Sequence, residues 1–289
     1  MILVTGASGN LGKAVANELL NRVEASEIAV LSRDVNKVED LKEKGMTVVQ
    51  GDYDDYASLV AAFKGIDKLY FVSGSDIASR MKQHENVVNA AKEAGVGHVV
   101  YTSFQRATDK KDSIIGFVGE SHITTEELLK ASGLNYTILK HALYLEVLPL
   151  FLGENVIDNG AVYLPAQDGK VSFASRADMA EAGAIILTTD GHEGKVYEFG
   201  GDVSVGMAEV AEGLSKLSGK EIAYVSPEVE EYKATLAGFG VPQGAIDVIV
   251  GFSLGIAANE FDGSTTELKD LLGRELISLS TFLEATYSL

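Results

Sequence analysis

The chain of 289 residues contains no cysteine. That excludes a disulfide framework, thiolate catalysis and thiolate metal sites. Proline is scarce, at 4 residues, and helical patterns are many, which argues against a disordered chain. No apolar run reaches the roughly 18 residues that a membrane-spanning helix needs. Cations are the minority: 24 Lys and Arg stand against 42 Asp and Glu, a formal charge of −18. Such a surface repels nucleic acid and anionic membranes, so neither is an expected partner. Any phosphate ligand must then be held by a local cluster of donors. A strand pattern begins at Ile2, leaving no room for a signal peptide, and a cytoplasmic protein is expected. Apolar residues are plentiful, at 46%, enough for a full-sized core.

Strand-like runs alternate with helical patterns through the first half of the chain. Strands are predicted at Ile2–Thr5, Ile28–Leu31, Thr47–Gln50, Leu69–Val72, His98–Thr102 and Tyr136–Leu139. Helices are predicted at Leu11–Asn21, Lys37–Lys44, Tyr56–Phe63, Ala78–Ala94 and Ser121–Ala131. The alternation implies an α/β fold, a Rossmann-type doubly wound parallel sheet covered on both faces. After Leu139 the rhythm breaks. A helix is expected over Ala142–Leu152, short strands over Gly160–Leu164 and Lys170–Ala174, and a mostly helical tail from Pro227. We therefore expect a dinucleotide-binding domain over 1–150. A smaller α+β C-terminal substrate lobe over 151–289 is expected to pack on it, interleaved with it, with a cleft between. The stretch Arg106–Gly119 reads as a mobile lid.

The run Gly6-Ala7-Ser8-Gly9-Asn10-Leu11-Gly12 lies between the first strand and the first helix. Its G-x-x-G-x-x-G spacing is a variant of the dinucleotide fingerprint. Bare glycines let the backbone approach a diphosphate, and the helix end supplies unpaired N–H donors. Gly6, Ser8, Gly9, Asn10, Leu11 and Gly12 are the expected cradle. Arg33 follows the second strand, about 20 residues beyond the glycines, where a cation pairs with the 2′-phosphate of NADP. Lys37 can add a second charge. Asp34 has two readings, a ribose-binding acid or a helix N-cap. NADP(H) is thus preferred over NAD(H). Asp52 and Tyr53 end the third strand, near the adenine. Asp52 can accept from the adenine amino group or simply form a turn. Ser73, Gly74 and Ser75 end the fourth strand, beside the nicotinamide ribose. Thr102 and Ser103 end the fifth, beside the nicotinamide.

These motifs, with His122-Ile-Thr-Thr-Glu126, Tyr136-Thr-Ile-Leu-Lys140-His141-Ala-Leu-Tyr144 and Ser175-Arg176-Ala177-Asp178, resemble the NmrA-like branch of atypical short-chain dehydrogenases/reductases. Within that branch the likeness is to NAD(P)H:quinone oxidoreductases and triphenylmethane dye reductases. The resemblance implies a Rossmann domain, bound NADP(H) and a small substrate lobe. Ordinary members use Tyr-x-x-x-Lys on the helix after the fifth strand. Here that helix offers His122-x-x-x-Glu126 instead. Tyr136-x-x-x-Lys140 matches the pattern but falls on a strand, where four residues span about 13 Å. The resembling reductases carry Arg-Asn where this chain has Lys140-His141.

Candidate catalytic residues are His122 and Lys140. Histidine titrates near neutrality, and Lys140 ends the sixth strand, where a cleft should open. A packing role for His122, bonded to Glu126, is the plainer reading. Phe104, His141 and Tyr144 are candidate substrate contacts; for His141 and Tyr144 a nicotinamide contact or plain lobe packing are the alternatives, and Phe117 and Phe151 are further aromatic candidates that could equally be core. No metal site is expected at His122 and Glu126, because no further ligand cluster accompanies them. Without the tyrosine–lysine relay, the expected activity is hydride transfer from NADPH to a quinone or similar planar, electron-poor acceptor, without flavin or metal. The alternative is an NADP-binding redox sensor without turnover. A nucleotide-sugar epimerase or dehydratase suffers most from the missing relay. Oligomeric state stays open.

Overall fold

The computed structural model describes residues 1–153 and 155–287. Six strands come first: β1 (Ile2–Val4), β2 (Ile28–Ser32), β3 (Thr47–Gln50), β4 (Lys68–Phe71), β5 (His98–Phe104) and β6 (Asn135–His141). All their pairings are parallel. The sheet runs β3-β2-β1-β4-β5-β6, and the strand Lys195–Phe199 adds a seventh position beyond β6. Strand order reverses at β1 and β4, and in such sheets ligands bind outside the carboxyl ends at that point. The sequence shows why the strands form. β1 and β2 are near-continuous apolar runs buried on both faces, β5 is buried around its apolar stretch Val99–Tyr101, and β3 lies at the edge and is partly exposed.

Five helices connect or flank these strands: α1 (Asn10–Leu19), α2 (Glu39–Glu43), α3 (Tyr56–Phe63), α4 (Arg80–Ala94) and α5 (Gly116–Ser132). α1 buries Leu11, Val15, Ala16 and Leu19, one face of the helix, and packs against the helix Arg176–Thr188. α3 and α4 pack together over Leu3, Leu31, Phe63, Leu69, Phe71 and Tyr101.

The chain divides into two compact units that alternate along the sequence. The first holds 1–104, 118–141 and 176–198. The second holds 105–117, 142–175 and 199–289. It contains two small two-stranded sheets, Lys170–Val171 with Val205–Gly206 and Ala161–Tyr163 with Ala223–Val225, and the helices of the tail. Among the described residues no helix is long and apolar enough to cross a membrane.

Two sequence expectations need correction. The helix foreseen over Ala142–Leu152 is a 3-10 turn at Leu145–Val147 followed by a short helix, Leu148–Leu152. Pro149 explains it: proline suits the first turn of a helix, but inside a longer one it would remove a hydrogen bond and clash with the preceding turn. The loop foreseen over Arg106–Gly119 ends early, because α5 already starts at Gly116. Its Arg106 side chain is buried and paired with the exposed Asp109 at 2.6 Å.

Candidate active site

The glycine turn follows β1. Gly6 adopts φ +62°, a left-handed conformation that favours glycine. A Cβ on Gly12 would lie 2.4 Å from the Gly6 carbonyl oxygen, so only glycine lets the helix start this close to the strand. Gly9 caps α1 with no side-chain hydrogen bond, and Ser8, Gly9 and Asn10 are exposed. The first amides of α1 therefore have no side-chain cap, which is the arrangement an anion requires. Leu11 is buried and anchors the helix rather than the loop.

Beyond β2, Arg33 and Lys37 are exposed. Asp34 is the N-cap of the turn Val35–Val38, and its carboxylate accepts from the Asn36 backbone and side chain, both at 3.0 Å. That geometry gives Asp34 a structural task and leaves Arg33 as the charged group next to the strand end. Asp52 likewise accepts from the Asp54 N–H at 3.1 Å, closing a turn. The Tyr53 hydroxyl contacts Thr5 Oγ1 and donates to the Val72 carbonyl at 2.7 Å, bridging the ends of β1 and β4. Burial raises the pKa of this phenol, so it stays protonated.

The turn after β4 is built differently. Ser73 N–H donates to Thr102 Oγ1 at 2.9 Å. Gly74 N–H donates to His84 Nε2 at 2.9 Å, and Arg80 Nε donates to the Gly74 carbonyl at 2.6 Å. Two side chains of α4 thus hold both backbone polar groups of one residue. A backbone N–H can only donate, so His84 Nε2 is the acceptor and Nδ1 carries the proton. His84 Nδ1 donates to Thr125 Oγ1 at 2.8 Å, and Thr125 donates to the Ser121 carbonyl at 2.6 Å. Burial, helped by the Arg80 charge, pulls the His84 pKa down to about 3, so this ring is neutral. Ser75 is exposed.

β5 and α5 meet through matched polar rungs. Tyr101 and Ser103 share one face of β5, and His122 and Glu126 share one face of α5. Tyr101 meets His122 Nδ1 at 2.7 Å, and Ser103 donates to Glu126. Arg80 Nη1 lies 3.4 Å from His122 Nε2. Arginine has donors only, so Nε2 accepts and Nδ1–H points to Tyr101. His122 is nearly buried, with Phe104 tilted against it at 5.7 Å between ring centroids. Its two nitrogens are engaged, a geometry that suits orientation better than proton donation.

Tyr136 and Lys140 both lie in β6, as their spacing implied. The Lys140 ammonium is paired with Glu198 at 3.0 Å. His141 ends β6 fully buried, and burial pulls its pKa to about 3. Tyr144 belongs to the second unit, where it bridges to Ala174. In that unit Phe117 is exposed while Phe151 is buried, and each ring contacts Phe252. Among the described residues no group of three or more His, Cys, Asp or Glu could hold a metal ion.

Parallel pairing thus brings Gly6–Gly12, Arg33, Asp52, Ser73–Ser75, Thr102 and Ser103 to one edge of one sheet. Arg80 and His84 escaped sequence reasoning. Their signal is that α4 buries Arg80, Gln83, His84 and Val87, so polar side chains occupy the spacing of an apolar stripe.

The profile of the NmrA-like family matches residues 1–276. Quinone oxidoreductase 2 of Escherichia coli K12 is 38% identical over 281 residues, 97% of this chain and 96% of that protein. The NAD(P)H azoreductase of Xenophilus azovorans is 30% identical over 250 residues, 86% of this chain and 85% of that one. The crystal structure of the Escherichia coli NADPH-dependent quinone oxidoreductase complexed with NADPH superposes with a TM-score of 0.93. It is 36% identical and covers 99% of this chain and 100% of that chain. The Citrobacter sp. triphenylmethane reductase complexed with NADP(H) gives 0.92 at 34% identity, over 99% of both chains.

Proposed function

The chain belongs to the NmrA-like family, and we propose that it is an NADPH-dependent reductase passing hydride to a quinone or similar planar, electron-poor acceptor. The observation that carries this reading is an open glycine cradle beside an exposed Arg33, in a site whose fifth helix presents His122 and Glu126 in place of tyrosine and lysine. The relatives that bind NADPH and are named for quinone or azo reduction support it.

Bound NADPH would supply the hydride. Gly6, Ser8, Gly9, Asn10 and Gly12 would hold its diphosphate at the start of α1, with Leu11 anchoring that helix. Arg33, with Lys37, would pair with the 2′-phosphate and give preference over NADH. Asp52 and Tyr53 would border the adenine, Tyr53 through its ring, since its hydroxyl is occupied. Ser73–Ser75, Thr102 and Ser103 would frame the nicotinamide half. Ser103 has one proton, and Glu126 takes it, so Ser103 Oγ offers only an acceptor, which suits a carboxamide N–H. Phe104 and His141 are proposed to shape the acceptor's surroundings, His141 from beneath the surface. His122 orients Tyr101, and Lys140 pairs with Glu198 at the end of β6. An acceptor already electron-poor needs little acid catalysis, so position and orientation supply most of the acceleration.

Steady-state assays with NADPH, NADH and a panel of quinones test the reading. Quinone-dependent oxidation, faster with NADPH, is expected. Tight NADPH binding without turnover on any acceptor would overturn it and favour a redox-sensing role.

A further inference from the structure

Arg80 is the buried charge that this reading leaves without a task. It opens α4 and is 7% exposed. It forms no ion pair with any described carboxylate. Tyr101 and, more weakly, the exposed Asp76 act on it electrostatically. Burial acts against the charged form, yet arginine stays charged in proteins. A buried cation costs several kcal/mol unless a counter-charge meets it. Nε donates to the Gly74 carbonyl at 2.6 Å, and Nη1 faces His122 Nε2 at 3.4 Å. Nη2 meets no described acceptor and is not sealed off from the surface.

The location is informative too. Gly74 follows β4, which adjoins β1 on the side away from β2. If the phosphate-bearing half of a dinucleotide lies towards Arg33 beyond β2, the other half runs over β4 and β5, where Arg80 stands.

We propose that Arg80 binds the oxyanion formed when a quinone carbonyl is reduced, supplying the charge stabilisation that a tyrosine–lysine relay would otherwise give; this rests on the quinone-reductase reading. The quinone gains two electrons and one proton as hydride, while NADPH becomes NADP⁺. The product is a hydroquinone monoanion. Arg80 donates a hydrogen bond to its charged oxygen and gives up no proton. Water then supplies the proton that completes the hydroquinone.

The test is the ionisation of a bound phenol. 4-Nitrophenol is titrated, by the absorbance of its anion, in protein saturated with NADP⁺. The wild type is expected to lower the phenol's pKa by about one unit or more. Arg80→Lys should keep most of that shift. Arg80→Gln should abolish it, weaken phenolate binding about tenfold and lower kcat about 100-fold with KM for NADPH unchanged. Glutamine carries an Nε2 donor where arginine has Nε, so a role confined to holding the Gly74 carbonyl would leave Arg80→Gln no worse than Arg80→Lys. That outcome overturns the proposal. So does a bound pKa in the wild type no lower than that of the free phenol. If the wild type reduces no quinone, the reductase reading falls, and the phenol titration still decides whether Arg80 binds an oxyanion.

Discussion

The turns after β1 and β4 lie on adjacent parallel strands and handle their backbone groups in opposite ways. After β1, glycines bring strand and helix together, and the amides at the start of α1 have no side-chain cap. After β4, both polar groups of Gly74 are taken by His84 and Arg80. The first turn is built to receive an anion through its backbone. The second is fixed in place, so that whatever lies over it meets a rigid floor. Tyr53 joins the two through its contacts with Thr5 and Val72.

Breaking the first turn should have the largest effect. Gly12→Val places atoms against the Gly6 carbonyl, only 2.4 Å from the Cβ position. NADPH affinity should fall by at least about 100-fold, measured by quenching of nicotinamide fluorescence. Arg33→Ala sharpens the same region. It should raise KM for NADPH about 10- to 100-fold and leave KM for NADH nearly unchanged, in keeping with loss of a phosphate contact.

The second turn should respond through stability. His84→Leu strands the Gly74 N–H and should cost about 1–3 kcal/mol in urea unfolding. Its pH dependence has a definite sign. His84 and His141 have pKa values pulled down to about 3, against about 6.5 in an unfolded chain. Below pH 6.5 the unfolded chain takes up protons that the native one refuses. Stability is therefore full above about pH 6.5 and declines toward pH 3, by about 1.4 kcal/mol per pH unit for each histidine. Unfolding midpoints measured from pH 7 to 4 check this, and a flat profile would contradict it. The smallest effect belongs to the link between the turns. Tyr53→Phe should cost about 1 kcal/mol, with a modest loss of NADPH affinity.

The same contrast governs what was legible in the sequence. Gly6–Gly12, Arg33 and the strand–helix alternation were readable because they are local patterns, each carried by a few neighbouring residues. The network at Gly74 was not. Arg80, His84, Tyr101 and His122 come from three elements and acquire their roles only where α4, α5 and β5 pack together. The helix pattern from Ala142 failed for a local reason: apolar spacing ran on past Pro149, whose ring had already set where the helix begins. Gly116 looked like part of a loop, yet it opens α5. His122 and Glu126 were found together, but their partners Tyr101 and Ser103 lie on a strand, beyond the reach of helical spacing.

The central claim is direct hydride transfer from NADPH to a quinone. The measurement that tests it most directly is quinone reduction by the wild-type protein with NADPH deuterated at the transferring position of C4. The account predicts one hydroquinone formed per NADPH consumed, at a rate lowered by deuterium. NADPH bound tightly while the quinone stays oxidised would contradict it.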